Sequence, residues 1–278
     1  MKYACLLLPV ILLAACEPAP EGEPVTRTRI DGKDGPAPSP SATPSLTSQV
    51  ESACRSIIFE NTPLTHCLAI PTRHIIAMDL GPSGEAPYRG LAAFAKAHNA
   101  DTIAFAMNAG MFDDEGKPIG YFVEDAERLK ELNTADGEGN FHMKPNGVFF
   151  GTGDTWEVRS TEDFLANVSE RPQFGTQSGP MLVTGGNIHP EITHDGPSKL
   201  VRNAVGVDDK GRAHFVISNA PISFGKLARF YRDELGVKNA LYLDGSVSSL
   251  WNPATDRLDS AAPIGPIVVV ERKEPASE

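Results

Sequence analysis

Short apolar runs bounded by Pro, Gly and Asn recur along the chain and predict a domain rich in β-strands. Such runs include residues 102–107, 240–243 and 267–270. Helical periodicity, with apolar residues three and four positions apart, is limited to a few segments, at residues 88–98, 161–168 and 223–235. The pattern therefore predicts a single α+β domain with a mixed, strand-rich sheet core and a few packed helices.

Length and charge restrict the class of partner. The chain has 278 residues and a formal net charge of −11, and no run of Lys or Arg lies in the body of the sequence. Because nucleic-acid binding needs a concentrated positive surface, nucleic acid is not expected as a partner. The length suits one domain with a sizeable core.

The first 16 residues are typical of a bacterial lipoprotein signal peptide. Lys2 supplies the positive end, an apolar stretch follows, and Leu-Ala-Ala precedes Cys16. The resemblance implies that Cys16 becomes the lipidated first residue, which would anchor the protein to the membrane. An ordinary cleaved signal with an incidental Cys16 is the alternative. Glu17, in place of the Asp of inner-membrane retention signals, favours the outer membrane and a site facing the periplasm.

Residues 17–48 are rich in Pro, Ser and Thr and predict a disordered linker, which leaves residues 49–278 as the domain. That domain contains only two cysteines, Cys54 and Cys67. Because export would place them in an oxidising compartment, a disulfide between them is expected. Two free buried thiols are the alternative, and a metal site is less favoured because the chain has no Cys-x-x-Cys pair.

Two carboxylates follow predicted strands. Asp244 ends the buried run 240–243 and precedes Gly245 and Ser246, an arrangement that can present a charge and a hydroxyl to a cleft. An Asx-type turn, in which the Asp244 side chain bonds its own backbone, is the alternative. Glu124 ends a predicted strand as well, and a simple hairpin turn is its alternative.

Amide and hydroxyl side chains lie at other predicted strand ends. Asn108 follows the buried run 102–107, where it could bind a ligand or cap the strand. Ser178 precedes Gly-Pro but lacks the spacing of a nucleophile elbow. Arg202 and Asn203 are adjacent on a predicted strand, so their side chains point to opposite faces.

A glycine-rich loop carries Lys144 and Asn146, and its polar groups could line a pocket. The loop lacks the spacing of a nucleotide-binding loop. His189 and His194 lack the spacing of a zinc-binding helix, and Pro190 interrupts the segment. No cofactor or metal is implied by these patterns.

Five motifs, in this order, resemble the phosphodiester glycosidase (uncovering-enzyme) family. They are Asn108-Ala-Gly-Met-Phe112, Lys144-Pro-Asn-Gly-Val-Phe149, Gln177-Ser-Gly-Pro-Met-Leu-Val183, Arg202-Asn-Ala-Val-Gly-Val207 and Leu243-Asp-Gly-Ser246. The family usually shows Asp-Gly-Gly where this chain has Ser246 in the third position. The chain therefore resembles a bacterial lipoprotein branch of the family.

The resemblance implies a hydrolase that cleaves the glycosidic C1–O bond of a sugar-1-phosphodiester, here in envelope glycans. A phosphate monoester has a second pKa of roughly 6 and can leave without full protonation. The site therefore needs cations and donors on the phosphate more than a strong general acid. Arg202 suits this role through its fork of donors, and Lys144 suits it as a point charge.

The sugar side of the reaction needs a carboxylate, as nucleophile or as the base for water, and Asp244 and then Glu124 are the candidates. A carboxylate separation of about 5–5.5 Å would favour retention and about 6.5–9.5 Å inversion. The remaining candidate substrate contacts are Asn108, Asn146, Ser178, Asn203 and Ser246. The alternative function is a non-catalytic glycan-binding or envelope-assembly lipoprotein with the same cleft. A buried Arg202–Asp244 pair without a cleft would instead indicate a structural role.

Overall fold

The computed structural model describes residues 51–260 and 262–274. The predicted signal peptide with Cys16 and the predicted linker lie outside these residues. No helix in the described part of the chain is both long enough and apolar enough to cross a bilayer.

Strands make up most of the regular structure, and helices are few and short. The strands are β1 (Cys54–Phe59), β2 (Thr62–Ala69), β3 (His74–Asp79), β4 (Ile103–Asn108), β5 (Phe122–Glu124), β6 (Glu127–Lys130), β7 (Gly147–Thr152), β8 (Thr155–Ser160), β9 (Phe174–Ser178), β10 (Met181–Thr184), β11 (Asn187–Ile188), β12 (Asn203–Val207), β13 (Ala213–Ser218), β14 (Asn239–Tyr242), β15 (Leu250–Asn252), β16 (Arg257–Leu258) and β17 (Ile267–Arg272). The α-helices are α1 (Leu91–Ala97), α2 (Thr161–Asn167) and α3 (Phe224–Arg229).

The strands form three sheets. One has seven strands in the order β1-β2-β13-β12-β14-β10-β11, and two have five, in the orders β16-β15-β4-β17-β3 and β6-β5-β9-β7-β8. The prediction of a strand-rich α+β domain is confirmed. The predicted sheet core is made of three sheets, and every strand pair among the described residues is antiparallel. Short connections account for six of these fourteen pairs, since consecutive strands joined by tight turns can only pair antiparallel.

The three sheets share one hydrophobic core. Phe105 of β4, Phe149 of β7 and Phe215 of β13 each come from a different sheet. The Phe215 ring meets the other two nearly edge to face, with centroid distances of 5.3 and 5.6 Å. Such contacts add to the free energy gained by burying the rings. The common core fixes the sheets relative to one another, and with them the loops that carry the polar motifs.

Local signals in the sequence account for the helices. Ser160 caps α2 and Ser223 caps α3, each accepting a hydrogen bond from the backbone N–H three residues on. The predicted helix over residues 223–235 is present, but its last part, Phe230–Glu234, is a π-helical turn. Gly236, with φ of 65°, ends this segment and directs the chain into β14.

The predicted disulfide is confirmed. Cys54 and Cys67 are bonded to each other and lie directly opposite on the hydrogen-bonded pair β1 and β2. The bond links the edge strand of the seven-stranded sheet to its neighbour.

Candidate active site

The five motif segments lie side by side, because backbone hydrogen bonds join their ends. These bonds run from Asp244 N to Ala109 O (3.0 Å), from Leu243 N to Asn203 O (3.1 Å), from Met181 N to Pro145 O (2.8 Å) and from Tyr242 N to Pro180 O (3.1 Å). Strand order brings the segments together, since β12, β14 and β10 are neighbours in one sheet. Motifs far apart in the sequence therefore form one continuous region.

Asn108 and Asn203 support the loop that carries Asp244. Both side chains are buried. Asn203 Nδ2 donates to Asn108 O and Oδ1, each at 3.0 Å, and Asn108 Nδ2 donates to Asp244 O at 2.6 Å. Asn108 Oδ1 also accepts from Ser249 N at 2.8 Å. Because these amide groups bond the chain itself, the two asparagines hold both ends of the loop 244–249.

Asp244 is half-buried and keeps one carboxylate oxygen free. Its Oδ1 accepts from Ser246 Oγ at 2.7 Å and from Ser246 N at 3.3 Å, so the Asx-type turn considered as the alternative is present. Its Oδ2 makes no hydrogen bond to the described residues. Burial raises the pKa of the Asp244 carboxyl, and the two bonds from Ser246 act in the opposite direction. The turn therefore fixes the side chain and leaves one oxygen for a ligand.

A cleft of about 740 Å³ opens beside this loop. Gly245, Ser246 and Ser248 line one side of it, and the exposed apolar side chains of Leu200 and Val201 line another. Gly245 permits the close approach of the loop, because a Cβ there would lie 2.2 Å from Tyr242 Oη. The cleft thus combines hydroxyls next to Asp244 with an apolar wall.

Arg257 supplies the cation of this cleft, and the sequence analysis missed it. The Arg257 guanidinium is paired with Asp259 (Nη2 to Oδ2, 2.8 Å) and donates from Nη1 to Thr65 Oγ1 (2.9 Å) and Asn219 Oδ1 (3.0 Å). Arg257 lies on β16, which pairs with β15 just after the Asp244 loop. No motif marks this residue in the sequence, and only the tertiary fold brings it to the cleft.

Arg202 lies inside the domain and is not among the residues that line the cleft beside the Asp244 loop. Its side chain is 1% exposed, and the guanidinium carbon is 3.7 Å from the centre of the Phe224 ring. The guanidinium donates to Ile222 O (2.9 Å), Ser198 O (3.2 Å) and Tyr242 Oη (3.2 Å). No carboxylate of the described residues pairs with it, so the Arg202–Asp244 pair considered above is not formed there. The structure places this cation behind Tyr242 and the Asp244 loop.

Lys144 and Asn146 line a second, smaller cleft of about 170 Å³. Lys144 Nζ contacts Asp136 Oδ1 at 2.6 Å, and Asn146 Nδ2 donates to Phe141 O at 2.8 Å. Ser178 is fully buried next to this loop, and its Oγ has no hydrogen-bond partner among the described residues. The glycine-rich loop that carries Lys144 and Asn146 is therefore adjacent to the Asp244 region in the fold, but its polar side chains line a different cleft.

Glu124 lies in a third cleft, together with Asp125 and Glu127. It closes the β5–β6 hairpin, whose turn residues Asp125 and Ala126 both have positive φ, so the hairpin alternative describes this segment. Burial and the neighbouring carboxylates of Asp79 and Asp125 raise the pKa of Glu124 to about 7. The structure does not bring Glu124 and Asp244 to the same cleft, so their separation has no bearing on retention or inversion.

The raised pKa of Glu124 predicts a pH-dependent stability. Between its ordinary pKa of 4.5 and the folded value of about 7, the folded chain holds a proton that the unfolded chain has released. The free energy of unfolding therefore falls as pH rises through this window. We expect Glu124→Gln to reduce the loss of melting temperature between pH 5 and pH 8, measured by circular dichroism. Glu170→Gln, at an exposed position, is the control, and an equal reduction there would contradict the prediction.

Comparison with known proteins identifies the family. The sequence profile of the phosphodiester glycosidases matches residues 101–271, and the chain belongs to that family. The uncharacterized protein YigE of Escherichia coli K12 is 35% identical over 171 residues, covering 62% of this chain and just under two thirds, 66%, of that protein. The resemblance inferred from the five motifs is confirmed.

A solved structure shares the fold. It is the catalytic domain of zebrafish N-acetylglucosamine-1-phosphodiester α-N-acetylglucosaminidase, auto-inhibited by its pro-peptide. The two structures superpose with a TM-score of 0.54 at 17% identity, over 79% of this chain and 82% of the zebrafish chain. The family and the fold together support a glycosidase-type function.

Proposed function

We propose that the protein hydrolyses the glycosidic C1–O bond of a sugar-1-phosphodiester, with Asp244 as the reacting carboxylate. The observation that carries this proposal is the half-buried Asp244, whose Oδ2 makes no hydrogen bond to a described residue. Its loop is held by two buried asparagines, and the loop residues Gly245, Ser246 and Ser248 that follow it line a cleft of about 740 Å³. Glu124 lies elsewhere and has no part in the proposed reaction.

The carboxylate acts on the sugar. An ionised Asp244 beside C1 stabilises the positive charge of an oxocarbenium-like transition state, as the nucleophile or as the base for a water molecule. Ser246 Oγ holds Oδ1 at 2.7 Å, which aims the other oxygen. Because the loop is fixed before the substrate binds, little reorganisation is needed during the reaction.

The leaving phosphate is proposed to lie in the same cleft. Arg257 lines this cleft together with the hydroxyls of Ser246 and Ser248. A guanidinium and hydroxyl donors stabilise the charge that develops on a departing phosphate monoester. The apolar Leu200 and Val201 suit a group attached to the far side of the phosphate.

We further propose that the substrate is an envelope glycan and that a lipid on Cys16 anchors the chain at the periplasmic face of the outer membrane. The support is the sequence Leu-Ala-Ala-Cys at the end of an apolar stretch. Mass spectrometry of the N-terminal peptide from the membrane fraction tests this part. An acylated Cys16 is expected, and a mature chain starting at another residue would refute the anchor.

The reaction is tested by incubating the full chain with a panel of sugar-1-phosphodiesters in ¹⁸O-labelled water. Equal amounts of free sugar and phosphate monoester, with the label on the sugar, are expected from C1–O cleavage. Label on the phosphate would show P–O cleavage and refute the mechanism. Saturable binding without release would indicate the glycan-binding alternative, and neither binding nor release would refute both functions for the tested sugars.

A further inference from the structure

A fourth cleft, of about 350 Å³, concentrates positive charge on a protein whose net charge is −11. Arg55, Arg73 and Arg212 line it together with His66 and His74. The cleft lies at the end of β2 opposite the Asp244 cleft, and the two have no lining residue in common. Among the described residues that line this cleft, only Glu51 is acidic.

The charges of Arg55 and Arg73 are not balanced within the described part of the chain. Arg212 is paired with Asp208, with Nη2 to Oδ2 at 2.6 Å and Nε to Oδ2 at 2.7 Å. Arg55 and Arg73 are exposed and make no side-chain hydrogen bond or ion pair with a described residue. Two guanidinium groups with unused donors therefore face one cleft, and planar forks of this kind bind the oxygens of phosphate groups in pairs.

Two buried histidines complete the lining, and each keeps a ring nitrogen without a partner among the described residues. His74 is 8% exposed, and its Nδ1 accepts from Ile70 N at 3.0 Å, which leaves Nε2. His66 is 3% exposed, and its Nε2 lies 3.0 Å from His214 Nδ1. His214 Nε2 in turn lies 3.2 Å from Asp208 Oδ2. When His214 carries its proton on Nε2, it donates to Asp208, and its Nδ1 accepts from His66 Nε2–H. His66 Nδ1 then keeps a free lone pair.

Both histidines are neutral at pH 7. Burial and the charges of His214, Arg55 and Arg212 lower the pKa of His66 to about 4. Burial and the charges of Arg272 and Arg73 lower the pKa of His74 to about 4. Neutral His74 carries its proton on Nε2, because its Nδ1 accepts from Ile70 N, so it can donate to an anion without becoming charged. A bound anion would offset the nearby positive charges and raise the pKa of both histidines.

We propose that this cleft binds a small molecule bearing a phosphate dianion, held by the guanidinium groups of Arg55 and Arg73 and by the Nε2–H of neutral His74, with His66 beside it. Two guanidinium groups with unused donors match a doubly charged ligand better than a single carboxylate. The volume of about 350 Å³ corresponds to roughly a dozen water molecules, enough for a phosphate with an attached group of sugar size. This proposal does not depend on the proposed hydrolase activity.

Titration of the full chain with inorganic phosphate, followed by calorimetry and by NMR of the histidine ring protons, tests the proposal. Saturable binding is expected at low ionic strength, and the pKa values of His66 and His74 are expected to rise by about one unit or more. Glucose 1-phosphate is the second probe, and tighter binding than inorganic phosphate would identify a phosphomonoester as the better ligand. Acetate, as a monoanion, is expected to bind at least about tenfold more weakly than phosphate.

The double variant Arg55→Gln/Arg73→Gln is expected to weaken phosphate binding at least about tenfold. Both residues are exposed, so the variant keeps its fold. Arg171→Gln is the matched control, because Arg171 is also exposed and has no carboxylate partner among the described residues. Equal phosphate affinity in the wild type and the double variant, or unchanged histidine pKa values on saturation, would overturn the proposal.

Discussion

The variant Asp244→Asn is expected to release sugar at least about 10⁴-fold more slowly than the wild type while remaining folded. Asparagine keeps the size of the side chain and the oxygen that accepts from Ser246 N and Oγ, so the turn at residues 244–246 persists. It removes the negative charge that would face the sugar in the transition state. The variant is therefore expected to have a lower kcat, while substrate binding in the cleft is retained.

Steady-state kinetics and thermal melting of the same preparations separate this loss from unfolding. Glu124→Gln is the matched control, because it neutralises the other carboxylate predicted from the sequence but lies in a different cleft. Full activity of Glu124→Gln beside an inactive Asp244→Asn would assign the reaction to one carboxylate. Sugar release by Asp244→Asn within tenfold of the wild type would refute the role of Asp244.

The pH profile gives a second readout of the same carboxylate. Asp244 must be ionised to act on the sugar, so kcat falls as pH decreases through its pKa, which burial raises above 3.8. Ser246 opposes this rise by donating to the charged form. We expect Ser246→Ala to move the acid limb of the profile to higher pH, whereas a merely structural role of Ser246 would lower activity equally at every pH.

The sequence predicts the fold best where a strand is buried on both faces. The run at β4 has every residue buried, and an unbroken apolar stretch of that length is visible without any tertiary information. The strand β15 has only three residues and is followed directly by Pro253, so no periodicity could reveal it. The strand content and the disulfide were predicted correctly, whereas β15 and β16 were not predicted.

The candidate site shows the same division between local and distant information. Asp244 could be predicted as a candidate because the signal, a carboxylate and a glycine after an apolar run, is contained within a few residues. Arg257 was missed because its partners Thr65 and Asn219 are 192 and 38 residues away in the chain. A single sequence carries no signal for contacts of that range.

Arg202 illustrates the limit most clearly, and it leads to the second large expected effect. Its charge suggested a phosphate contact, but Phe224 and Tyr242 enclose it. Arg202→Ala would remove the donors to Ser198 O and Tyr242 Oη, leave Ile222 O with only the bond from Leu200 N, and open a cavity behind Tyr242. We expect the free energy of unfolding to fall by about 2–5 kcal/mol, since replacing a large buried side chain by Ala leaves a cavity that costs on that order.

Urea denaturation of Arg202→Ala, Arg202→Lys and Arg171→Ala tests this account. Lysine keeps the charge but offers one donor group in place of the planar fork, so Arg202→Lys should lose part of the stability that Arg202→Ala loses. Arg171→Ala removes an exposed arginine and should stay within about 0.5 kcal/mol of the wild type. If Arg202 instead bound the substrate phosphate directly, Arg202→Ala would raise KM at unchanged stability. Such a result would contradict its burial and return Arg202 to the cleft, where its sequence motif first suggested it.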